Sequence, residues 1–167
     1  MTVGLISGCG PLARPAPPVA AGADAERLEP ALSGDGRLLV TVVRQGDQQR
    51  LLLQALPGGQ TLPLGRLERL APHHSPSLSW NGRYLAVIAQ QGASRVPLVL
   101  DRLTGRLHRL PLPAGAEAGS LSLAPDGQRL AIGLIEGGQP RLRLLSLSGL
   151  LEPDSAPGQT LIDPGGP

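Results

Sequence analysis

The chain of 167 residues contains one cysteine, no lysine, no phenylalanine, one tryptophan and one tyrosine. One cysteine excludes an intramolecular disulfide, and together with three histidines it cannot supply the paired spacings of a structural zinc site. Two aromatic residues provide no stacking platform for bases, and the arginines are spread rather than clustered, so we expect no nucleic-acid partner. The chain also lacks a G-x-S-x-G nucleophile elbow, and we expect no catalytic residue, cofactor or metal.

The chain does have the composition of a globular domain, and it contains a repeated turn. Apolar residues make up 41% and charged residues 17%, which is typical of a globular domain with an aliphatic core. The turn reads Ser-Gly-Asp-Gly-Arg at 33–37, Ser-Trp-Asn-Gly-Arg at 79–83 and Ala-Pro-Asp-Gly-Gln at 124–128. Its central glycines, Gly36, Gly82 and Gly127, are separated by 46 and 45 residues. A fixed period of this length indicates propeller blades or another repeat array.

Each turn lies between short apolar runs that predict β-strands. The runs after the turns cover residues 37–43, 83–89 and 128–134, and Asp-Gly or Asn-Gly favours antiparallel pairing with the segment before. Further glycines predict third strands at 50–56, 96–101 and 141–147 and fourth strands at 61–64, 106–110 and, weakly, Leu150-Leu151. The prediction is one four-stranded antiparallel blade per repeat. Pro97 predicts that the third strand of the middle repeat is the least regular.

The middle repeat resembles the repeat of TolB-type β-propellers in residues 75–86 and 99–105, and Pro125-Asp126-Gly127 carries the same core. The resemblance implies an all-β fold of three tandem four-stranded blades within 29–152, at about 29–70, 75–113 and 119–152. Closed propellers need about four to eight blades, so three predict an open arc or half-propeller rather than a closed ring. An open stack with polar ends, self-association of two arcs and a fragment of a decayed longer protein all stay open.

The side chains at the turns are predicted to be structural. Asp35, Asn81 and Asp126, with the glycines that follow them (Gly36, Gly82 and Gly127), are residues that stabilise backbone turns. Trp80 and Tyr84 flank the middle turn and are possible contact residues, although the resemblance implies that the tryptophan packs between blades. For His73-His74, in the connection between the first two repeats, a solvated loop is favoured over a metal site.

The N-terminus carries a possible anchor. Ile6-Ser7-Gly8-Cys9 resembles a bacterial lipobox, which implies lipidation of Cys9, and a Pro/Ala/Gly-rich tether follows at 10–28. Residues 1–9 lack the charge and the long apolar segment of a complete signal peptide. Either the true start lies upstream or the pattern is chance. Residues 153–167 are predicted to be a flexible tail.

The resemblance leaves several functions open, because TolB-like propellers occur as periplasmic envelope proteins, as binding modules and as lids of serine peptidases. We expect a non-catalytic, envelope-associated binding or scaffolding protein in the periplasm, anchored through a lipid on Cys9. Its partner would be an envelope protein or a second copy, and it would not be an enzyme. The alternative is an accessory or lid-type remnant that acts with a separate hydrolase, and a third possibility is a degenerate arc without a ligand.

Overall fold

The computed structural model describes residues 25–154, which form three antiparallel sheets. In chain order the strands are β1 (Glu26–Leu32), β2 (Leu38–Gln45), β3 (Gln48–Ala55), β4 (Thr61–Leu62), β5 (His73–Leu78), β6 (Tyr84–Gln91), β7 (Ser94–Asp101), β8 (Arg106–Arg109), β9 (Ala116–Leu123), β10 (Arg129–Glu136) and β11 (Gln139–Ser146). A 3-10 helical turn at Gly65–Arg69 connects the first sheet to the second. We call the sheets blades 1, 2 and 3.

Each blade is a simple meander. Blade 1 has the order β1-β2-β3-β4 and blade 2 the order β5-β6-β7-β8. The segment before each Asp-Gly or Asn-Gly turn pairs antiparallel with the strand after it, which confirms the predicted pairing. The hairpins between the second and third strands turn at Gly46, Gly92 and Gly137, whose φ angles are +58°, +60° and +55°. These positive values are readily adopted by glycine, which explains the second periodic glycine.

Blade 3 departs from the predicted four strands, because its sheet contains only β9, β10 and β11 among the described residues. The fourth strand predicted at Leu150-Leu151 is wrong. The amides of both leucines donate hydrogen bonds to the carbonyl of Leu147, at 2.8 Å each, so the backbone winds into a turn. Leu147 and Leu151 are both buried, and burial of two leucines four residues apart favours this helical winding over an extended strand.

The irregularity predicted at Pro97 is also wrong for the pairing of β6 with β7. That register runs without a shift from Tyr84↔Asp101 to Gln91↔Ser94 and includes the pair Ile88↔Pro97. The carbonyl of Pro97 accepts a hydrogen bond from Leu110 N at 3.0 Å, so the polar groups of this residue face the β8 side. The backbone nitrogen of Pro97, which has no hydrogen, therefore faces β8 just past the pair Leu98↔Arg109, where the β7–β8 pairing ends. The hydrogen bonds between β7 and β6 do not need it.

The core lies between the blades in two clusters. Alternate residues of β2 (Leu38, Val40, Val42) pack against the face of blade 2 formed by Leu85, Val87 and Ala89. The opposite residues of β6 (Tyr84, Ala86, Ile88) pack in turn against Leu130, Ile132 and Leu134 of β10. We call the side of each blade that points toward the next blade in chain order its leading face.

The three blades form an open arc. Their first strands lie side by side, since β1 contacts β5 and β5 contacts β9, as the innermost strands of propeller blades do. In blades 1 and 2 the leading face is buried by the following blade, whereas the leading face of blade 3 retains exposed leucines, at Leu142 and Leu144. The open arc confirms the predicted fold class.

Candidate functional site

The three repeated turns lie next to one another and are joined by backbone hydrogen bonds. The amide of Asp35 donates to the carbonyl of Trp80 at 2.9 Å, and the amide of Trp80 donates to the carbonyl of Pro125 at 2.7 Å. A longer bond, 3.4 Å, joins Gly34 N to Ser79 O. The turns therefore form a continuous row, which we call the turn row, that connects all three blades.

The polar side chains of the turn row hold their own backbone. Asp35 Oδ1 accepts a hydrogen bond from the amide of Arg37 at 3.0 Å. Asn81 Oδ1 accepts one from Arg83 N at 2.8 Å, and Asp126 Oδ1 accepts one from the amide two residues later at 2.9 Å. These contacts are the local turns that Asp and Asn favour. The geometry thus supports the structural interpretation of these three residues.

The two aromatic side chains both take part in packing between blades. Tyr84 has no exposed surface, and its hydroxyl donates to the carbonyl of Glu152 at 2.8 Å. Burial raises the pKa of this hydroxyl, although the nearby Arg83 opposes the shift. The half-buried Trp80 covers Gly34 so closely that a Cβ there would lie 2.5 Å from Trp80 Cε3. Tyr84 therefore has no ring surface to offer a partner.

A C-terminal segment, residues 147–154, crosses from blade 3 back to blade 2, and we call it the strap. The amide of Asp154 donates to the carbonyl of Asp126 at 2.8 Å, and Asp154 Oδ2 accepts from Asn81 N at 3.1 Å. The guanidinium of Arg83 bridges Asp101, at 3.2 Å, and Glu152, at 2.9 Å. The strap thus ties together the turns of blades 2 and 3.

The Arg83–Asp101 ion pair is largely buried, and the pKa of each partner is shifted. Hydrogen bonds to Asp101 and Glu152 raise the pKa of Arg83 above its ordinary value. Burial alone would raise the pKa of Asp101, but the guanidinium and the amide of Leu103 more than compensate, and that pKa is lowered. Asp101 Oδ1 accepts from Leu103 N at 2.9 Å and so also fixes the turn that follows β7. The pair is therefore a structural ion pair that holds the start of β6 to the end of β7.

A second polar cluster lies on the innermost strands. Glu29 accepts a hydrogen bond from the amide of Ser75, and Glu29 Oε1 lies 3.9 Å from His74 Nδ1. Glu29 and Ser75 both have positive φ, +49° and +52°, at bulges of β1 and β5. Arg95 and Ser120 are among the other residues that line an open cavity of about 390 Å³ beside them. This cluster is polar and reachable from solvent.

The cluster does not have the geometry of a Ser-His-Glu hydrolase site. Ser75 Oγ accepts a hydrogen bond from the amide of Leu121 at 3.0 Å and lies 3.3 Å from the carbonyl of the same residue. The Ser75 hydroxyl thus makes its hydrogen bonds to the backbone of β9, and these bonds link blade 2 to blade 3. A nucleophile would instead need a base within hydrogen-bond reach.

The histidine pair differs from the solvated loop favoured by its sequence context, because both residues lie in β5. His73 is fully buried, and its Nε2 is 2.9 Å from the carbonyl of Leu67, so the side chain holds the 3-10 turn against blade 2. Burial lowers the pKa of His73. Within residues 25–154 no group of three or more His, Cys, Asp or Glu side chains is arranged to hold a metal.

Among the strand leucines of the described residues, the two with the largest exposed fraction lie on the leading face of blade 3. Leu142 and Leu144 in β11 are each 75% exposed, and Ile135 in β10 is 43% exposed. Their strand partners on the same face are small, since Gly133 pairs with Leu142 and Ala131 with Leu144. Neighbouring exposed apolar side chains on a folded sheet are typical of an interaction surface.

A family model described as the lipoprotein LpqB β-propeller domain matches residues 5–143. The chain belongs to this family. The match covers all of blades 1 and 2 and most of blade 3, so the LpqB-type domain includes the turn row, the Glu29–Ser75 cluster and the first part of β11. No curated protein sequence matches the chain.

Solved propellers share the fold of this LpqB-family domain. TolB from Acinetobacter baumannii is 22% identical with a TM-score of 0.58, over 72% of this chain and 30% of that one. A protein from Agrobacterium tumefaciens assigned as TolB is 17% identical with a TM-score of 0.61, over 77% and 46%. The propeller domain of the trilobed protease from Pyrococcus furiosus, described as having an open velcro topology, is 12% identical with a TM-score of 0.58, over 81% and 43%. The chain thus spans less than half of the length of each of these three chains.

The Glu29–His74–Ser75 cluster and the exposed face of blade 3 are not among the sites predicted from the sequence. The signal for the first was the repeat itself, since Glu29 and Ser75 occupy equivalent positions, 46 residues apart, in two innermost strands. The signal for the second was the alternation of arginine and leucine in residues 141–144. Cys9 and the lipobox-like segment lie outside the described residues, as do residues 10–24 of the predicted tether and 155–167 of the predicted tail. No helix within residues 25–154 is long and apolar enough to cross a membrane.

Proposed function

We propose that this LpqB-family propeller is a non-catalytic binding or scaffolding protein of the bacterial envelope. The observation that carries the proposal is the leading face of blade 3, where Leu142 and Leu144 are each 75% exposed although the equivalent faces of blades 1 and 2 are buried. Water-exposed leucines on adjacent positions are unfavourable in isolation and become favourable when a partner buries them. The described polar groups hold turns and blades together, so binding rather than chemistry is the function that this surface supports.

We further propose that the protein is held at the membrane by a lipid on Cys9. The family description names a lipoprotein, and the lipobox-like sequence precedes a Pro/Ala/Gly-rich stretch with the composition of a semi-rigid spacer. Such a spacer would place the propeller in the periplasm at a distance from the bilayer. Membrane attachment would then use the lipid alone.

The anchor is tested with the full gene, including any upstream start, expressed in its native bacterium. Labelled palmitate is expected in the wild-type protein and in the Ser7→Ala variant, which keeps a small residue in the lipobox. It should be absent from Cys9→Ala, which should move from the membrane fraction to the soluble fraction. Persistent labelling of Cys9→Ala would refute the anchor.

The binding role is tested by placing a photo-crosslinking residue at Leu142 or at Leu103 in living cells. Leu103 is an equally exposed leucine, at 74%, on the turn after β7, and it serves as the matched control. A defined cross-linked protein at position 142 but not at 103 is expected, and its loss in a Leu144→Glu background should follow. Absence of any product at 142 would contradict a binding role for this face.

The accessory role beside a separate hydrolase is the second candidate. It is favoured by the shared fold with the propeller domain of a protease. The same cross-linking experiment separates the two functions, because the accessory role requires a hydrolase as the protein captured at position 142. A partner without hydrolase activity would leave the scaffolding function in place.

A further inference from the structure

We propose that β11 is a strand-addition site for an extended segment of a partner protein in which acidic and aliphatic residues alternate. This inference rests on the proposed binding function and names the class of partner. Three observations support it: the repeat-equivalent positions of the exposed leucines, the unpaired edge of the strand, and the pattern of its arginines.

The exposed leucines occupy positions that are buried in the other blades. Leu53 pairs with Val40 in blade 1, Val99 pairs with Ala86 in blade 2, and Leu144 pairs with Ala131 in blade 3. Leu53 and Val99 are 0% exposed because the next blade covers them, whereas Leu144 is 75% exposed. Blade 3 has therefore kept an apolar residue at a position that elsewhere belongs to the core.

The edge of β11 is long and unpaired. In blades 1 and 2 the third strand is followed by a fourth, since β3 pairs with β4 and β7 with β8. Among the described residues β11 pairs only with β10, and seven of its eight residues are exposed, all except Leu145. Such an edge offers a row of backbone donors and acceptors to another extended chain.

The side chains of β11 specify the charge of the added strand. Arg141 and Arg143 alternate with Leu142 and Leu144, and both arginines are exposed. Arg143 already forms an ion pair with Glu136 of β10, at 2.8 Å, so an acidic residue of the added strand would share its guanidinium with Glu136. Opposed residues on neighbouring strands share a face, so an added strand with period two would place aliphatic residues beside the leucines and carboxylates beside the arginines. Opposite charges in such pairs stabilise the ladder. A segment in which acidic and aliphatic residues alternate would pair with the leucines on one face of β11 and with the arginines on the other.

The same arginines disfavour the other occupants. Two copies of β11 paired with each other would bring arginine opposite arginine, and like charges in this position are destabilising. The chain's own residues 155–167 contain a single acidic residue, Asp163, and so match the arginine pattern poorly. A partner strand with several carboxylates is the occupant that the charges favour.

The test uses the full chain and three synthetic peptides. The probe is Glu-Val-Glu-Val-Glu-Val-Glu-amide with fluorescein at its N-terminus. The second labelled peptide has lysine in place of every glutamate, and the third has proline at the central valine. Only the first is expected to bind in fluorescence anisotropy, because lysine repels the arginines and proline breaks the ladder. Hydrogen exchange of residues 139–146 should slow when it binds. Higher salt should weaken the binding.

Variants separate this edge from general stickiness. Leu142→Ser with Leu144→Ser is expected to weaken binding about tenfold or more, since each exposed leucine would be partly buried by the added strand. The double variant with Arg141→Glu and Arg143→Glu should bind the lysine peptide more tightly than the glutamate peptide. Leu103→Ser, at an equally exposed leucine of 74%, should change nothing. Unchanged urea midpoints would show that all variants are folded.

Four results would overturn the inference. Binding that ignores peptide charge would remove the role of the arginines. Binding that is seen only after deletion of residues 155–167 would assign the edge to the chain's own tail, and a dimer dissolved by Leu144→Ser would assign it to a second copy. If the peptides fail while cross-linking at position 142 in cells persists, this inference falls and the binding function stands.

Discussion

The ring of Tyr84 lies directly over Gly127, where an added Cβ would come within 2.6 Å of Tyr84 Cδ2. One blade earlier the side chain of Leu38 approaches Gly82 in the same way. The same contact is thus repeated. The residue two positions after the turn glycine of one blade packs onto the turn glycine of the next blade. These glycines are required both for their positive φ and for this close approach.

Replacement of Gly127 by alanine should therefore be unusually destabilising. Its φ of +72° costs an L-residue about 1–2 kcal/mol, and the clash with Tyr84 adds about 1–3 kcal/mol. Gly137→Ala is the matched control, because its φ is +55° and nothing lies within 4 Å of an added Cβ. Urea unfolding should show a larger loss for Gly127→Ala. Equal losses would mean that Tyr84 moves aside at no cost.

Repeat-equivalent leucines should respond differently to truncation. Leu53→Ala should cost about 2–5 kcal/mol, because Leu53 is fully buried between blades 1 and 2. Leu144→Ala should change the free energy of unfolding by about 0.5 kcal/mol or less, since the side chain is largely exposed. Chemical denaturation of the purified monomer measures both. A large loss for Leu144→Ala in the monomer would show that this face is already covered.

The Arg83–Asp101 pair should make stability depend on acid pH. Because the pKa of Asp101 is lower in the folded protein than its usual value of about 3.9, the unfolded chain binds the proton first. The free energy of unfolding should fall as pH drops below about 4, and Asp101→Asn should reduce that fall. Urea titrations at pH 6 and pH 3 give the difference. Asp47→Asn, at an exposed position of the β2–β3 hairpin, is the control and should leave the difference unchanged.

His73 should add a second dependence at higher pH. Burial lowers its pKa in the folded state, so its contribution to stability is complete above about 6.5 and declines as pH falls below that value. His73→Gln can keep a hydrogen bond to the carbonyl of Leu67 and should flatten the stability profile between pH 7.5 and 5. His108→Gln, at a half-buried position of β8, tests whether any histidine gives the same result. An unchanged slope in His73→Gln would contradict the assignment.

The repeated turns and the strands around them could be predicted because their causes are local. Asp-Gly and Asn-Gly select a turn through their own side chains and φ angles, and aliphatic runs on both sides then pair. The fourth strand of blade 3 was mispredicted because burial of Leu147 and Leu151 on one side of a turn outweighs a short apolar run. The equivalent positions of Glu29 and Ser75 in the repeat are visible in the sequence, but their contact also depends on bulges in β1 and β5 that the repeat alone does not predict.

The strap has a consequence for cooperativity. Its contacts with blade 2 join residues 68 to 73 positions apart, at Tyr84–Glu152, Arg83–Glu152 and Asn81–Asp154. In a repeat array each unit ordinarily depends only on its neighbours and the ends open first. Here blade 3 cannot open without releasing the strap from the turn of blade 2, so we expect blades 2 and 3 to exchange their amide protons as one unit. Local opening of the arc would then begin at blade 1.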